Sequence, residues 1–290
     1  MPYAPEPFPD VPGVEVEHRF VDAAGLRMHV AVAGSGPPLV LLHGWPQHWW
    51  SWRRVLPRLA QRFTCYMPDQ RGLGWTEAPE APEGYRKDQL QRDLVACLDA
   101  LGLDRVALVG HDWGAWVGYL TALAAPERLT GYLAFSIPPP VASPFDPKAI
   151  LALPAFAYQP VVAAPGLGMR VMRGGRLTKL LLQIAVTDRS TWDPGDLEAY
   201  ARPLQRPDRA WASVQYYRQF LLHEAGPQFR GVRRARDLAV PNHLVIGRQD
   251  PINVPSLLTA VSHEVVDGYG HFLPEEAPQL VADAILARLG

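Results

Sequence analysis

The sequence is short of cysteine, having only Cys65 and Cys97 among 290 residues. Cys65 sits in a strand-like run and Cys97 in a helix-like one. Two buried free thiols are therefore expected rather than a disulfide, and metal-ligand spacing is absent. Charge of one sign is lacking too. The net charge is −1 and the pI about 6.8, so neither a nucleic acid nor an anionic membrane is an expected partner. No apolar run reaches the ~18 residues of a membrane span. The stretch Met1 to Pro12 has neither the basic start nor the apolar centre of a signal peptide. A cytoplasmic protein is the expectation, as a monomer or homodimer, with no cofactor and no metal. Hydrophobic residues are not scarce: they make up 48% of the chain, enough for one large domain or a domain carrying an insertion.

One stretch organises the rest. Val106-Ala107-Leu108-Val109 reads as a buried strand, and the residues from Gly114 onward read as a helix with small residues on one side. Between them lies Gly110-x-Asp112-x-Gly114, which leaves no room for a loop. This is the small-x-nucleophile-x-small pattern of a nucleophile elbow, with Asp in the central place usually held by Ser. The exchange decides the chemistry. A serine needs a base before it attacks, whereas a carboxylate, with a reference pKa of ~3.9, is already ionised at neutral pH. Attack on carbon then gives an alkyl-enzyme ester that water must cleave. By itself the motif also fits a βα turn whose Asp caps the helix.

Along the chain, residues 14–21 and 26–33 alternate apolar and polar and predict an antiparallel hairpin. Leu39 to Leu42 is wholly apolar, as expected of a central parallel strand. It ends in His43-Gly44-Trp45-Pro46. Such a loop can aim a backbone N–H into a site, so the N–H groups of Trp45 and Trp113 are expected to form an oxyanion hole. His43 is expected to brace the loop. Trp45, Pro46 and Trp113 are candidates for the pocket wall. A helix is predicted from Gln47 to Ala60, then a strand over Phe63–Pro68. Asp69 and Arg71 are expected to bond to local backbone and to each other. Leu90, Leu94, Val95, Leu98 and Leu101 recur at helical spacing and predict a helix over 85–101, stopped by Gly102.

After a strand from Leu129 to Ile137 the period breaks. Residues 138–230 predict only short helices, near 147–163, 166–173, 175–186, 194–202 and 207–224. A helical block interrupting βα alternation after a strand's carboxyl end is expected to be a lid over the site. The basic stretch Arg230 to Arg236 is expected to be its solvated hinge. The core would comprise 1–137 and 231–290. Strands resume at His243–Gly247 and Glu264–Val266, and a helix from Pro274 to Leu289 closes the chain.

Asp112, Asp250 and His271 thus fall at strand ends in the order nucleophile, acid, histidine, which is the order of the α/β-hydrolases. His43-Gly44, Gly110-x-Asp112-x-Gly114, Gly247-x-x-Asp250 and Gly270-His271-Phe272 all stand in the matching strand context. Asp250 would orient His271, and His271 would activate the water that cleaves the ester. With its Asp nucleophile the chain resembles the epoxide hydrolases of this fold, and more distantly the haloalkane and haloacetate dehalogenases. That resemblance implies a mostly parallel sheet flanked by helices, a helical lid, and an epoxide and water as substrates. It also implies two lid tyrosines that donate to the epoxide oxygen. Tyr158 matches the first and Tyr217, just before Arg218, the second, with Tyr216 its rival and a candidate pocket residue. Haloalkane dehalogenases usually carry Asn or Glu where Trp45 stands, and haloacetate dehalogenases a His-Trp pair at Ala157-Tyr158. A haloalkane or haloacetate dehalogenase is the alternative, and a non-catalytic binding protein of this fold a further one.

Overall fold

The computed structural model describes residues 8–140, 156–226 and 238–290. Among them eight strands form one sheet. They are β1 (Glu17–Ala23), β2 (Leu26–Ala33), β3 (Pro38–Leu42), β4 (Thr64–Pro68), β5 (Val106–His111), β6 (Leu129–Phe135), β7 (Asn242–Gly247) and β8 (His263–Val266). Their spatial order is β1-β2-β4-β3-β5-β6-β7-β8. The strands from β3 to β8 pair in parallel, and the β1–β2 hairpin joins the β4 edge antiparallel.

The apolar runs follow from burial on both faces. In β3, Leu39 and Leu41 enter one core layer while Val40 and Leu42 enter the other. In β5, Ala107 and Val109 alternate with Val106 and Leu108 in the same way. A strand between two apolar layers has no wet face, so period-two polarity disappears. One layer is covered by α2 (Lys87–Ala100) and α3 (Trp113–Ala124), the other by α1 (Leu56–Leu59) and the terminal helix Pro278–Leu289. Helix α2 turns Leu90, Leu94 and Leu98 inward, each side chain contributing about 1.5–3 kcal/mol on burial. Helix α3 is buried from Trp113 through Ala122, so it is apolar all round. It lies close to the sheet because Gly118 leaves space for the Tyr132 ring, whose hydroxyl donates to the Ala115 carbonyl at 2.5 Å.

Two predicted helices are divided. From Trp49 to Ala60 the chain forms a 3₁₀ turn, Trp49–Trp52, and then α1. Pro57 has no N–H for an interior helical bond, which prevents one continuous helix. The closing helix is interrupted at Ala277 (φ −136°, ψ 53°), directly before Pro278, because a residue preceding proline is driven out of the helical region.

Between β6 and β7 the described residues hold helices and no strand: α4 (Tyr158–Ala163), α5 (Leu167–Gly174), α6 (Arg176–Ile184), α7 (Pro194–Leu204) and α8 (Pro207–Gln219), with one wider π turn over Phe220–Glu224. The part of the predicted 147–163 helix before residue 156 lies outside the described residues, as does the Arg230–Arg236 hinge. A buried ionic cluster ties this block to the core. Glu275 accepts from the Tyr200 hydroxyl of α7 at 2.6 Å and pairs with Arg53, and Arg53 also meets Asp196 at 2.9 Å. A buried carboxylate is tolerated only with such partners. Among the described residues no helix is long and apolar enough to cross a membrane. Cys65 and Cys97 are free and buried, and burial pushes both thiols up to about 12.

Candidate active site

Asp112, Asp250 and His271 stand at the carboxyl ends of β5, β7 and β8, three parallel strands of the sheet. The turn at Asp112 is strained: φ is 53° and ψ −124°. For a residue with a side chain such a conformation costs ~1–3 kcal/mol and persists only when the surroundings enforce it. The surroundings are glycines. A Cβ on Gly110 would strike the backbone of Ala115, one on Gly114 the carbonyls of Leu42 and His43, and one on Gly44 the side chain of Asp112 itself. The strand, helix and neighbouring loop can therefore meet at Asp112 only because these positions are bare.

The structure brings the predicted triad together. His271 Nδ1–H donates to Asp250 Oδ2 at 3.0 Å and lies 3.2 Å from Oδ1, while Nε2 lies 3.6 Å from Asp112 Oδ2. Asp250 is buried and its Oδ1 also accepts the Ile252 N–H at 3.0 Å. Burial would lower the His271 pKa, but the Asp250 charge, hydrogen bonds with Asp112 and Asp250 and the Asp112 charge raise it to about 10. The other Asp112 oxygen, Oδ1, accepts the Trp45 N–H at 2.8 Å. Trp113 opens α3, where a backbone N–H has no acceptor within the helix. His43 braces the loop as expected: Nδ1–H donates to the Gly44 carbonyl at 2.9 Å, and Nε2 accepts the Gln70 N–H at 3.0 Å.

Tyr158 and Tyr217 meet, with their hydroxyl oxygens 3.0 Å apart. Trp45 joins them to Asp112. Its ring stacks on Tyr158 with centroids 5.9 Å apart and meets Tyr217 edge-on at 5.0 Å, while its indole N–H donates to Ser213 Oγ at 3.0 Å. Burial first, and the Asp112 charge among further causes, push both phenols above their ordinary pKa. Trp113 packs edge-on against Tyr217 at 6.0 Å. Pro46 is buried and follows Trp45 through a cis bond.

Tyr216, expected beside the pocket, is placed elsewhere. Its hydroxyl donates to the Arg71 carbonyl at 3.1 Å and its ring packs on Tyr85. Successive helical residues point about 100° apart, so the two adjacent tyrosines cannot share a direction. The expected Asp69–Arg71 pairing is corrected as well. Arg71 forks onto Asp93 with two contacts of 2.7 Å. Asp69, fully buried, accepts from His29 Nδ1–H and from the backbone N–H groups of Trp49 and Trp75. These donors satisfy both carboxylate oxygens. Burial alone would raise its pKa, but His29 holds it at about 2.

Sequence reasoning missed three neighbours of the site. His111 Nε2–H donates to the His271 carbonyl at 2.8 Å, and burial with the nearby His271 lowers its pKa to about 4. Lys87 is fully buried, its ammonium 2.9 Å from the Tyr216 carbonyl and 4.3 Å from the centre of the Trp113 ring. Its helical spacing to Leu90 and Leu94 was a legible signal of an inward cation. Glu276 accepts three backbone N–H groups around His271, those of Thr187, Gly270 and Phe272. Among the described residues no group of three or more His, Cys, Asp or Glu could hold a metal.

The profile of the alpha/beta hydrolase fold matches residues 37–278. A soluble epoxide hydrolase of Corynebacterium sp. (strain C12) is 31% identical over 283 residues, covering 94% of this chain and 96% of that protein. Epoxide hydrolase 2 of Siraitia grosvenorii is 42% identical over 124 residues, 42% of this chain but only 39% of that protein. The solved structure of epoxide hydrolase CorEH without ligand superimposes with a TM-score of 0.83 at 28% identity, covering 94% and 98% of the two chains. With the triad order, the sheet order and these matches in agreement, the chain belongs to the α/β-hydrolase fold family, among its epoxide hydrolase-like members.

Proposed function

We propose that this protein is an epoxide hydrolase that opens an epoxide to a vicinal diol through a covalent ester on Asp112. The observation that carries the reading is the pair of phenols, Tyr158 and Tyr217, 3.0 Å apart on the ring of the residue whose N–H binds the nucleophile. An epoxide differs from other alkylating substrates in releasing an alkoxide, which needs a proton; a halide does not. Two buried hydroxyls beside a carboxylate suit the first case.

The proposed steps rest on this geometry. Asp112 Oδ2, free of the Trp45 bond, attacks a ring carbon. The C–O bond breaks and its electron pair goes to oxygen, which takes a proton from the tyrosine pair. Asp112 Oδ1 becomes the ester carbonyl, already at the Trp45 N–H. His271 then takes a proton from water, and the hydroxide adds to the ester carbon. The Trp45 and Trp113 N–H groups hold the oxyanion until it collapses; the departing diol oxygen takes the proton from His271, and the proton of the newly added hydroxyl returns to the tyrosine pair, leaving Asp112 a carboxylate. Forming the ester removes the Asp112 charge. That charge and the Asp112 hydrogen bond are among the causes raising His271, behind the Asp250 charge, so alkylation loosens the imidazolium proton, which passes to solvent before His271 acts as a base. Residues 138–230 serve as a lid that excludes water from the alkoxide, and residues 1–137 and 231–290 serve as the catalytic core.

The test is the His271→Gln variant incubated with styrene oxide. It should alkylate and stop, its intact mass rising by the mass of one epoxide and staying raised. An unmodified variant would refute the mechanism. Wild-type protein that releases halide from haloalkanes faster than it opens any epoxide would instead favour dehalogenation, with the Trp113 indole as the halide donor.

A further inference from the structure

His271 sits in a loop whose backbone is bonded on every side. Its N–H donates to the Ala185 carbonyl at 2.7 Å, just past the end of α6. Its own carbonyl accepts from His111. The N–H groups on either side, those of Gly270 and Phe272, both donate to Glu276, at 2.9 Å to Oε2 and 3.0 Å to Oε1. Glu276 Oε2 also accepts the Thr187 N–H at 2.9 Å. One carboxylate therefore grips the histidine loop and the helical block together. A side chain on Gly270 would strike the Ala185 carbonyl, so the two segments are in close contact.

We infer that Glu276 is the positioning residue for His271, and that through it the hydrolytic half of the reaction depends on the docking of residues 185–187 of the helical block. This rests on the reading under Proposed function, in which His271 serves the second step and Asp112 with the tyrosines the first. A carboxylate can accept on both oxygens at once. A glutamine keeps one acceptor and turns its NH₂ toward a donor, so the loop loses at least one anchor. Displacing a catalytic base by ~1 Å can cost about 10²-fold in rate. No such loss is expected for attack by Asp112, whose seat in the elbow is separate.

The experiment measures formation and decay of the alkyl-enzyme by quenched flow and intact mass, using wild type, Glu276→Ala and Glu276→Gln. The expected result is ester decay slowed about 30–100-fold in Glu276→Ala and about 5–20-fold in Glu276→Gln, with formation within about threefold of wild type. At steady state kcat and KM should fall together, leaving kcat/KM nearly unchanged and the ester accumulated. A merely structural role would lower formation and decay alike, and that outcome overturns the inference. So does wild-type decay in both variants. The glutamine variant, closest in shape, keeps the test open if the alanine variant does not fold. His271→Gln is run alongside. If it traps the ester while the Glu276 variants do not, only this inference fails; if it traps none, the proposed mechanism fails and the inference with it.

Discussion

Removing the hydroxyls of Tyr158 and Tyr217 gives the sharpest test of how the leaving oxygen is served. In the 3.0 Å contact only one hydroxyl can donate to the other, so the second keeps its hydrogen free for a substrate. Burial, with the Asp112 charge among the lesser causes, holds both phenols above their ordinary pKa. They remain donors throughout the working range. Phenylalanine keeps the ring contacts with Trp45 and deletes one donor. A lost oxyanion donor typically costs ~3 kcal/mol; with a second hydroxyl still present, about half to most of that is expected. At about 1.4 kcal/mol per decade, each single variant should lose roughly 10–100-fold in the rate of ester formation. The double variant has no donor and should lose on the order of 10²–10⁴-fold if the two losses add. The assay is single-turnover alkylation by styrene oxide, with circular dichroism to confirm the fold. A double variant within tenfold of wild type would remove the tyrosines from the mechanism.

Two further predictions concern His271. Asp250→Asn offers an amide where a carboxylate now accepts from Nδ1–H; ester decay should slow about 10³–10⁴-fold, as in other triads, with the ester visible by mass. The second is thermal. His271 is raised from 6.5 to about 10 in the folded protein, the Asp250 and Asp112 interactions outweighing burial. The folded state thus holds this proton more tightly than the unfolded one. The stabilisation is complete below about 6.5 and disappears as pH rises through about 10. Melting temperature should decline across that window, and the decline should be shallower in His271→Gln; identical slopes would mean that the histidine carries no such proton.

Features of the site set by short-range rules were legible. The elbow must have small flanking residues, and Gly110 and Gly114 announce it. The hairpin, the apolar β3 and β5, and the strand ends bearing Asp250 and His271 follow from alternation and punctuation. Partner choice across space was not legible. Nothing in Asp69-Gln70-Arg71 says that Arg71 reaches 22 residues on to Asp93, or that Asp69 takes its imidazole from His29, 40 residues back. The choice between Tyr216 and Tyr217 depends on how α8 is rotated against the core, which is fixed by tertiary contacts such as Trp45 to Ser213 and Lys87 to the Tyr216 carbonyl. The Arg53–Glu275–Tyr200 cluster joins three separate segments, and in the sequence its Arg and Glu look like ordinary surface charges. The breaks before Pro57 and Pro278 were written in the sequence, and continuous periodicity masked them.

The seat around residue 112 has a bearing on how such a protein changes over time. Its shape is enforced by bare positions at 44, 110 and 114, and by backbone that would be struck if they were filled. The restraints at 110 and 114 act on the main chain alone; the one at 44 leaves room for the Asp112 side chain, beginning with a Cβ that any residue other than glycine supplies. Drift at the glycines would therefore be purged for loss of architecture even in a lineage with no use for the reaction. Residue 112 answers to the strained turn and to the chemistry, but not to the glycines' close packing. A single codon there can exchange one nucleophile for another while the frame that displays it persists, so the frame and the reaction are inherited under separate pressures.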